Sequence, residues 1–526
     1  MAAPGARRTH TLRSVATETE SATQSAHARA SAPPPAGKYR AREIAHGRRP
    51  SRTRPLASLA ARNLHAIVRG GASNAELRRR VWGLALPAIG EQVLALGVGV
   101  SDTFLAGHLS HAAVAQVGYG QATAITAVGV ASSAVWICLT AFFAVNVGVT
   151  AIVARATGAQ DKVLASRSSG QGILLGLLIG ALMILGAVPL ASVITAALGV
   201  TGKVSALAAG YIRIFSLALP ATGAASAATA AMRGSGDARR PLLVMLVVNG
   251  CNIVGSWTLM NGLAIFGIPA IGVMGSACGA AAGWVLGAGL AIFFLTRQHA
   301  RAPRIFRASL RPSRIIARRI LDVGLPSAAE LVVFQVGIVM FNRFVVGLGA
   351  TIYAANTTIN TVESLGSLPA FGFAVATTAL VGQALGAADP QLAIRATWAA
   401  LRPCLMVTGI IGLLALTVPH LLLGTFVADP AVINAGNIAM RFSIITIPAS
   451  GIAFVFNGAL RGAGDTRFPV VVRASGTWGI RVPIALLLIP VLALPGARVA
   501  MALDFCTQAT LSYLRFRGGR WKRAQV

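Results

Sequence analysis

Four carboxylates, Glu91, Asp102, Glu330 and Glu363, stand in stretches otherwise dominated by Ala, Val, Leu, Ile, Gly and Phe. Inserting an ionisable side chain into such a setting costs about 2.5 to 3.5 kcal/mol, so each acid reads as functional unless a partner explains it. An acid of this kind binds and releases a proton or Na⁺, or contacts a cationic ligand. Glu91 and Glu330 each follow a proline, Pro87 and Pro326, by four residues, which places each about one helical turn beyond its proline on the same face. Asp102 lies toward the far end of the same run as Glu91. Glu363, in INTVESLGSLPAFGF two turns before Pro369, reads as a proton-titrating acid. Asp237 and Asp465 sit in paired RGxGDxRxP turns and read as caps of the following helices, and Asp504 reads as a packing or orientation residue. Arg473 and Arg481, eight residues apart on one helix face, are candidate partners for an acid such as Glu363, a contact the sequence does not show. Arg213 and Arg441 read as snorkelling cations near span ends. Trp136, Phe334, Phe371 and Phe373 are candidate walls of a cage for an organic cation.

The elements that carry these residues follow from composition. Of 526 residues 55% are apolar and 12% charged, and the mean hydropathy is +0.70, which suits a bilayer rather than water. Runs of the required roughly 20 residues are expected at 81–105, 115–156, 169–195, 206–232, 241–263 and 270–296. A second set is expected at 318–347, 352–384, 396–425, 433–459, 468–494 and 497–514. The fold class is therefore all-α integral membrane with twelve transmembrane helices, and the length of 115–156 leaves room for an extra interfacial turn. The expected layout is a basic tail (1–79), a six-helix lobe (80–299), a linker (300–316), a second lobe (317–516) and a basic end (517–526).

The net charge of +31 raises nucleic acid as a partner, but its distribution answers that. Residues 1–80 hold 16 Lys/Arg against four acids and lack both apolar periodicity and a signal-peptide stretch, so this tail reads as disordered. Beyond it, alternate connections are basic, including eight arginines from Arg297 to Arg319, while the opposite connections hold only Lys203 and Arg498. That bias places both termini in the cytoplasm and requires no nucleic acid. The five cysteines are isolated within apolar runs and read as packing residues.

The chain also repeats itself. MRGSGDARRP (232–241) and LRGAGDTRFP (460–469) are 228 residues apart, and the same offset pairs Gly158 with Gly386, Asp161 with Asp389, Arg213 with Arg441 and Pro220 with Pro448. LALPAIGEQV (84–93) and VGLPSAAELV (323–332) are 239 apart. Two repeats of six spans enter the membrane from the same side, so a pseudo-two-fold axis along the membrane normal relates them, with a cleft between the lobes. Asp102 and Glu363 have no acidic mates: the equivalents are Phe341 and Val135. Removing one should therefore differ in effect from removing the other.

Eight segments in order carry a family resemblance: 85–109, 147–161, 211–220, 233–241, 324–332, 374–390, 460–469 and 514–521, among them ALPAIGEQVLALGVGVSDTFLAGHL, AVATTALVGQALGAADP and LRFRGGRW. Over residues 80–521 the chain resembles the multidrug and toxic compound extrusion family. The resemblance implies a V-shaped pair of six-helix bundles that exports amphiphilic, often cationic drugs in exchange for Na⁺ or H⁺, with no other cofactor. It also implies that Asp102 is the cation-coupling acid of the first lobe. Asn252 resembles a fifth-helix asparagine of a family cation site, although Ser256 stands where that site has an aspartate. Family members carry their seventh-helix glutamate where this chain has Phe334, so Glu330 departs from the pattern, whereas Asp465 matches a position implicated in coupling in some relatives. The superfamily also contains lipid-linked precursor flippases, the alternative function. An enzyme is not expected, since no HExxH, GxSxG or GxxxxGKS is present. The expected partners are small organic molecules and membrane lipids, and the expected state is a monomer in the plasma (inner) membrane.

Overall fold

The computed structural model describes residues 73–263, 267–297 and 303–524, so the tail expectation lies outside it up to residue 72. Ser73 opens the first helix, α1 (Asn74–Gly107), by accepting a hydrogen bond from the Glu76 amide, which satisfies one of the amides a helix start leaves free. This cap starts α1 well ahead of the apolar boundary at 81. A short helix, α2 (His111–Val117), precedes α3 (Gln121–Gly158), whose own 38 residues account for most of the length of the second expected span. After α4 (Lys162–Ala197) come α5 (Gly202–Ser216) and α6 (Leu219–Gly234), which meet at 54°. Pro220, which has no amide to donate, stands at the start of α6, where none is needed. Helices α7 (Arg239–Asn261) and α8 (Val273–Thr296) complete the first repeat.

The second repeat comprises α9 (Arg314–Val346), α10 (Ala350–Gly386), α11 (Pro390–Thr417), the short α12 (Pro419–Gly424), α13 (Pro430–Arg441) and α14 (Ser443–Ala463). It ends with α15 (Arg467–Ala474), a π-helical turn (Ser475–Arg481) and α16 (Val482–Arg517). The continuous apolar stretch Arg467–Arg517 has 51 residues, far more than the roughly 20 that cross a bilayer. It breaks at Ala493, whose φ is 50°, and Gly496 packs back against the Leu488 carbonyl. Ten helices among the described residues are long and apolar enough to span a membrane. The α5–α6 pair and the division at Ala493 bring the spans to twelve, as the sequence predicts.

The two-fold relation is visible in how the lobes touch. A side chain at Gly158 of α3 would strike the Gln383 carbonyl of α10, and one at Gly386 would strike the Arg155 carbonyl of α3. Under the 228-residue offset these contacts are images of each other. The contact of Gly324 (α9) with Ala144 (α3) is likewise the image of Gly372 (α10) with Ala85 (α1). Only glycine permits such backbone approach between membrane helices. All four contacts lie at the end of the molecule that carries Ser73 and Ala524, where Arg395 also bonds Asn74 and Arg155 bonds the Ala524 carbonyl. The first half of α1 joins the apolar core of the second lobe there, through Leu77, Val81 and Ala85. At the opposite end an open groove of about 700 Å³ runs along α1 and α3, lined by Val100, Phe104 and Ser132 among others.

The linker is pinned to the first lobe. Gln171 of α4 donates to the Arg311 carbonyl at 2.7 Å and accepts from the Ser313 amide at 2.9 Å, while the Ser166 hydroxyl lies 2.6 Å from that of buried Ser309.

Candidate ion-coupling and substrate site

Asp102 occupies the last third of α1, and Gly97 allows that helix to close on Asn249 of α7. Glycines 275, 279 and 283, spaced one helical turn apart, bring α8 equally close to α7: Gly279 lies against Ser256 and Gly283 against the Val248 carbonyl. The result is a closed polar pocket of four spans. Asp102 is 1% exposed, and the Tyr211 hydroxyl, from α5, donates to its Oδ2 at 2.9 Å. Asn252, Ser256 and Ser276 surround the same carboxyl. The Ser256 hydroxyl lies 2.7 Å from Asn252 Oδ1 and 3.2 Å from the Ser276 carbonyl. Asp102 Oδ1, Asn252 Nδ2 and the Ser276 hydroxyl make no hydrogen bond. A location near the outer end of α1 would allow hydration, but packing by α5, α7 and α8 removes Asp102 from water. Asn252 joins it even though Ser256 replaces the carboxylate of the resembling site.

The remaining in-span acids each meet a guanidinium. Glu91 pairs with Arg233 at 2.5 Å, and its repeat mate Glu330 pairs with Arg461, the mate of Arg233, at 2.7 Å. The shared glutamate is thus half of a duplicated bridge between the first helix of each lobe and its RGxGD turn. Asp237 accepts from the amides of Arg239 and Arg240, the expected cap, and also pairs with the Arg240 side chain at 3.0 Å. Asp465 instead bonds Arg515 at 2.8 Å, so the two turns are not equivalent. Asp504 lies 2.6 Å from Arg481.

Glu363 is also buried, at 4% exposure, but its partner differs from expectation. Neither Arg473 nor Arg481 reaches it. Arg498 does, at 3.0 Å, while the Ser443 hydroxyl donates to the other oxygen at 2.6 Å. Arg498 also donates to the Asn356 carbonyl and side chain and to Asn360. By its sequence Arg498 counts with the connections opposite the basic ones, at the edge of the expected span 497–514. The reversal at Ala493 instead turns it inward, fully buried.

Among the candidate aromatic walls, Trp136 and Phe371 are exposed, and Phe371 stacks on Phe454 with centroids 4.4 Å apart. Phe373 is core and meets Trp82 edge-on, and Phe334 lies beneath the Arg473 guanidinium. Neither can serve as an open cage face. The contributions of Tyr211, Ser276, Arg498 and Asn356 were not legible from spacing, because each depends on a contact between distant spans. The one available signal was that Arg498 stands at the edge of the expected span 497–514.

The duplication of the two halves also appears in the comparison with known proteins. The MatE family model matches residues 87–258 and again 326–487, starting both times on the proline of the pair Pro87 and Pro326. This chain belongs to the MatE family. A Thermotoga maritima relative described as a probable multidrug resistance protein NorM is 28% identical over 457 residues, covering 86% of this MatE chain and 94% of its own. An uncharacterized transporter of Bacillus subtilis, YisQ, is 25% identical, with 84% and 94% covered. In fold, this MatE protein is similar to a structure described as MATE in complex with MaL6, at a TM-score of 0.76 and 20% identity over 87% of this chain and 99% of that one. Family membership and these likenesses establish a multi-pass membrane transporter with the twelve-helix, two-lobe layout.

Proposed function

We propose that this transporter is a cation-coupled antiporter that exports amphiphilic organic compounds by alternating access, with Asp102 as its coupling group. The observation that carries this reading is that Asp102 is the one in-span acid, among the described residues, without a basic partner. A carboxylate so enclosed is costly while charged and unpaired, so it holds either a proton or a metal cation. Tyr211 and the hydroxyls and amide around it supply the oxygens that suit Na⁺ and the hydrogen bonds that suit either state. In the lobe arrangement described here the glycine interface seals the terminal end. Occupancy of Asp102 alters how α1 packs on α5, α7 and α8, and α1 is also the helix whose first half lies in that interface. Coupling therefore has a physical route from the acid to the lobe contact.

The basic end faces the cytoplasm in this reading, the plasma (inner) membrane is the site of action, and the unit is a monomer with no cofactor beyond the coupling ion. Ethidium efflux from proteoliposomes under imposed pH or Na⁺ gradients tests it. Wild type should show gradient-dependent efflux and Asp102→Asn should lose the dependence. Efflux that stays gradient-dependent in Asp102→Asn would remove Asp102 from the coupling role.

A further inference from the structure

The second lobe holds one more buried cation than its acids can balance. Three guanidiniums, Arg461, Arg473 and Arg481, face two carboxylates, Glu330 and Asp504, with the Phe334 ring under Arg473 and Arg481. Glu330 commits both oxygens to Arg461, at 2.8 and 2.7 Å, and Asp504 lies against Arg481. Arg473 comes no nearer than 3.7 Å to Glu330, outside hydrogen-bond range. Its side chain is 7% exposed, and neither Nε nor Nη1 has an acceptor. The Nε atoms of Arg461 and Arg481 and the Thr477 hydroxyl are also unpartnered. The adjacent Arg498–Glu363 pair is neutral in itself and relieves none of this.

Two features make the surplus look built rather than accidental. The π-helical turn Ser475–Arg481 separates Arg473 from Arg481, and such turns concentrate at functional sites because the extra residue redirects side chains. The cluster also reaches the boundary between lobes: Arg461 lies over the ring of Phe143, on α3, 5.7 Å from its centroid. Phe334 offers Arg473 a ring face at 4.4 Å, but a quadrupole offsets only part of a buried charge. Planar N–H donors with a net positive field, walled by phenylalanine, suit a small monovalent anion.

We propose that Arg473, with Arg461 and Arg481, forms a site for one small anionic group, a carboxylate or a halide, in the second lobe, and that an acidic amphiphile in transit supplies it. The last clause rests on the export function proposed above, and the anion site does not. Once Asp102 in the first lobe has released its coupling ion, the interior charges of the two lobes are opposite, an arrangement that suits molecules bearing a carboxylate as well as a cationic or polar group.

The full chain in nanodiscs would be melted in zwitterionic buffer with sodium held constant as chloride, acetate, benzoate or gluconate, the last too bulky and hydroxylated for a phenylalanine-walled site. Wild type should melt higher in a small anion than in gluconate. Arg473→Met should lose that difference yet melt no lower than wild type in gluconate, since it deletes the unbalanced cation. Arg473→Lys, which keeps the charge, should retain a shift. Wild type with no anion-dependent shift, or Arg473→Met destabilised in gluconate, would overturn the site, the latter because it would mean that Arg473 serves only to brace Glu330. In proteoliposomes, an amphiphilic carboxylic acid and its methyl ester would be compared, with wild-type ethidium efflux as the control for export. The acid-to-ester ratio should fall about tenfold in Arg473→Met, the weight of one charge-assisted contact. A chloride shift with an unchanged ratio would support the site and overturn the substrate as its source. Absence of all wild-type efflux would overturn export and leave the melting result standing.

Discussion

Replacing Arg498 by methionine asks whether Glu363 is held or free. Arg498 is fully buried, 3.0 Å from Glu363, and hydrogen-bonded to Asn356 and Asn360. The substitution preserves much of the side-chain volume but leaves Glu363 Oε2, the Asn356 carbonyl and the Asn356 and Asn360 side-chain oxygens without that donor. Breaking a buried pair from one side costs about 3 to 5 kcal/mol. At roughly 2 to 4 °C per kcal/mol for a lobe of this size, the apparent Tm should fall by about 6 to 20 °C. Glu363→Gln keeps the Ser443 contact and removes only the charge-assisted bond, a loss of about 1.5 to 3 kcal/mol. The double variant should cost less than the sum, because each change removes the penalty the other leaves exposed. Tryptophan fluorescence during thermal unfolding in nanodiscs reads all three. Additive losses, or a Glu363→Gln protein that melts like wild type and has lost gradient-dependent efflux, would refute the pairing argument and return Glu363 to the role of a titrating acid.

Tyr211→Phe removes the hydroxyl that donates to Asp102 and should slow coupled efflux about tenfold, the worth of one hydrogen bond to a charged group, without abolishing it as Asp102→Asn does; flux at a fixed gradient distinguishes them. Gly158→Val and Gly386→Val should part the lobes at the terminal end to the same extent, as measured by spin-label distances across α3 and α10, because their contacts are two-fold images. Unequal displacement would contradict that symmetry. Gln171→Ala releases the linker, at a cost of about 1 to 3 kcal/mol for the polar groups left unpaired, and limited trypsin digestion should then cut sooner between Arg304 and Arg314.

Several of these residues were legible before any coordinates. The 228-residue offset paired Gly158 with Gly386, and the structure shows the pair meeting each other's repeat across the interface. Pro87 and Pro326 marked Glu91 and Glu330 as equivalents, and both form the same bridge. The buried charge partners were not legible. Arg498 stands at the edge of an expected span and counts as a loop cation, yet a single positive φ at Ala493 folds it inward. Asn252 lacked the aspartate expected one turn on, yet close approach of α8 on α7 supplies Ser276 from another span.

The sequence by itself determined the solvent, the number of spans, the duplication and which acids are unusual, because hydropathy and repeat offset are properties of local runs. Tertiary structure alone decided which of those acids is unpaired. Six of them find a guanidinium and Asp102 does not, and that difference depends on contacts between helices more than a hundred residues apart, such as Arg461 with Glu330 and Arg498 with Glu363. Residue identity decides which side chains are able to carry charge. Packing fixes whether a countercharge lies within reach, and so separates a structural acid from one free to take an ion.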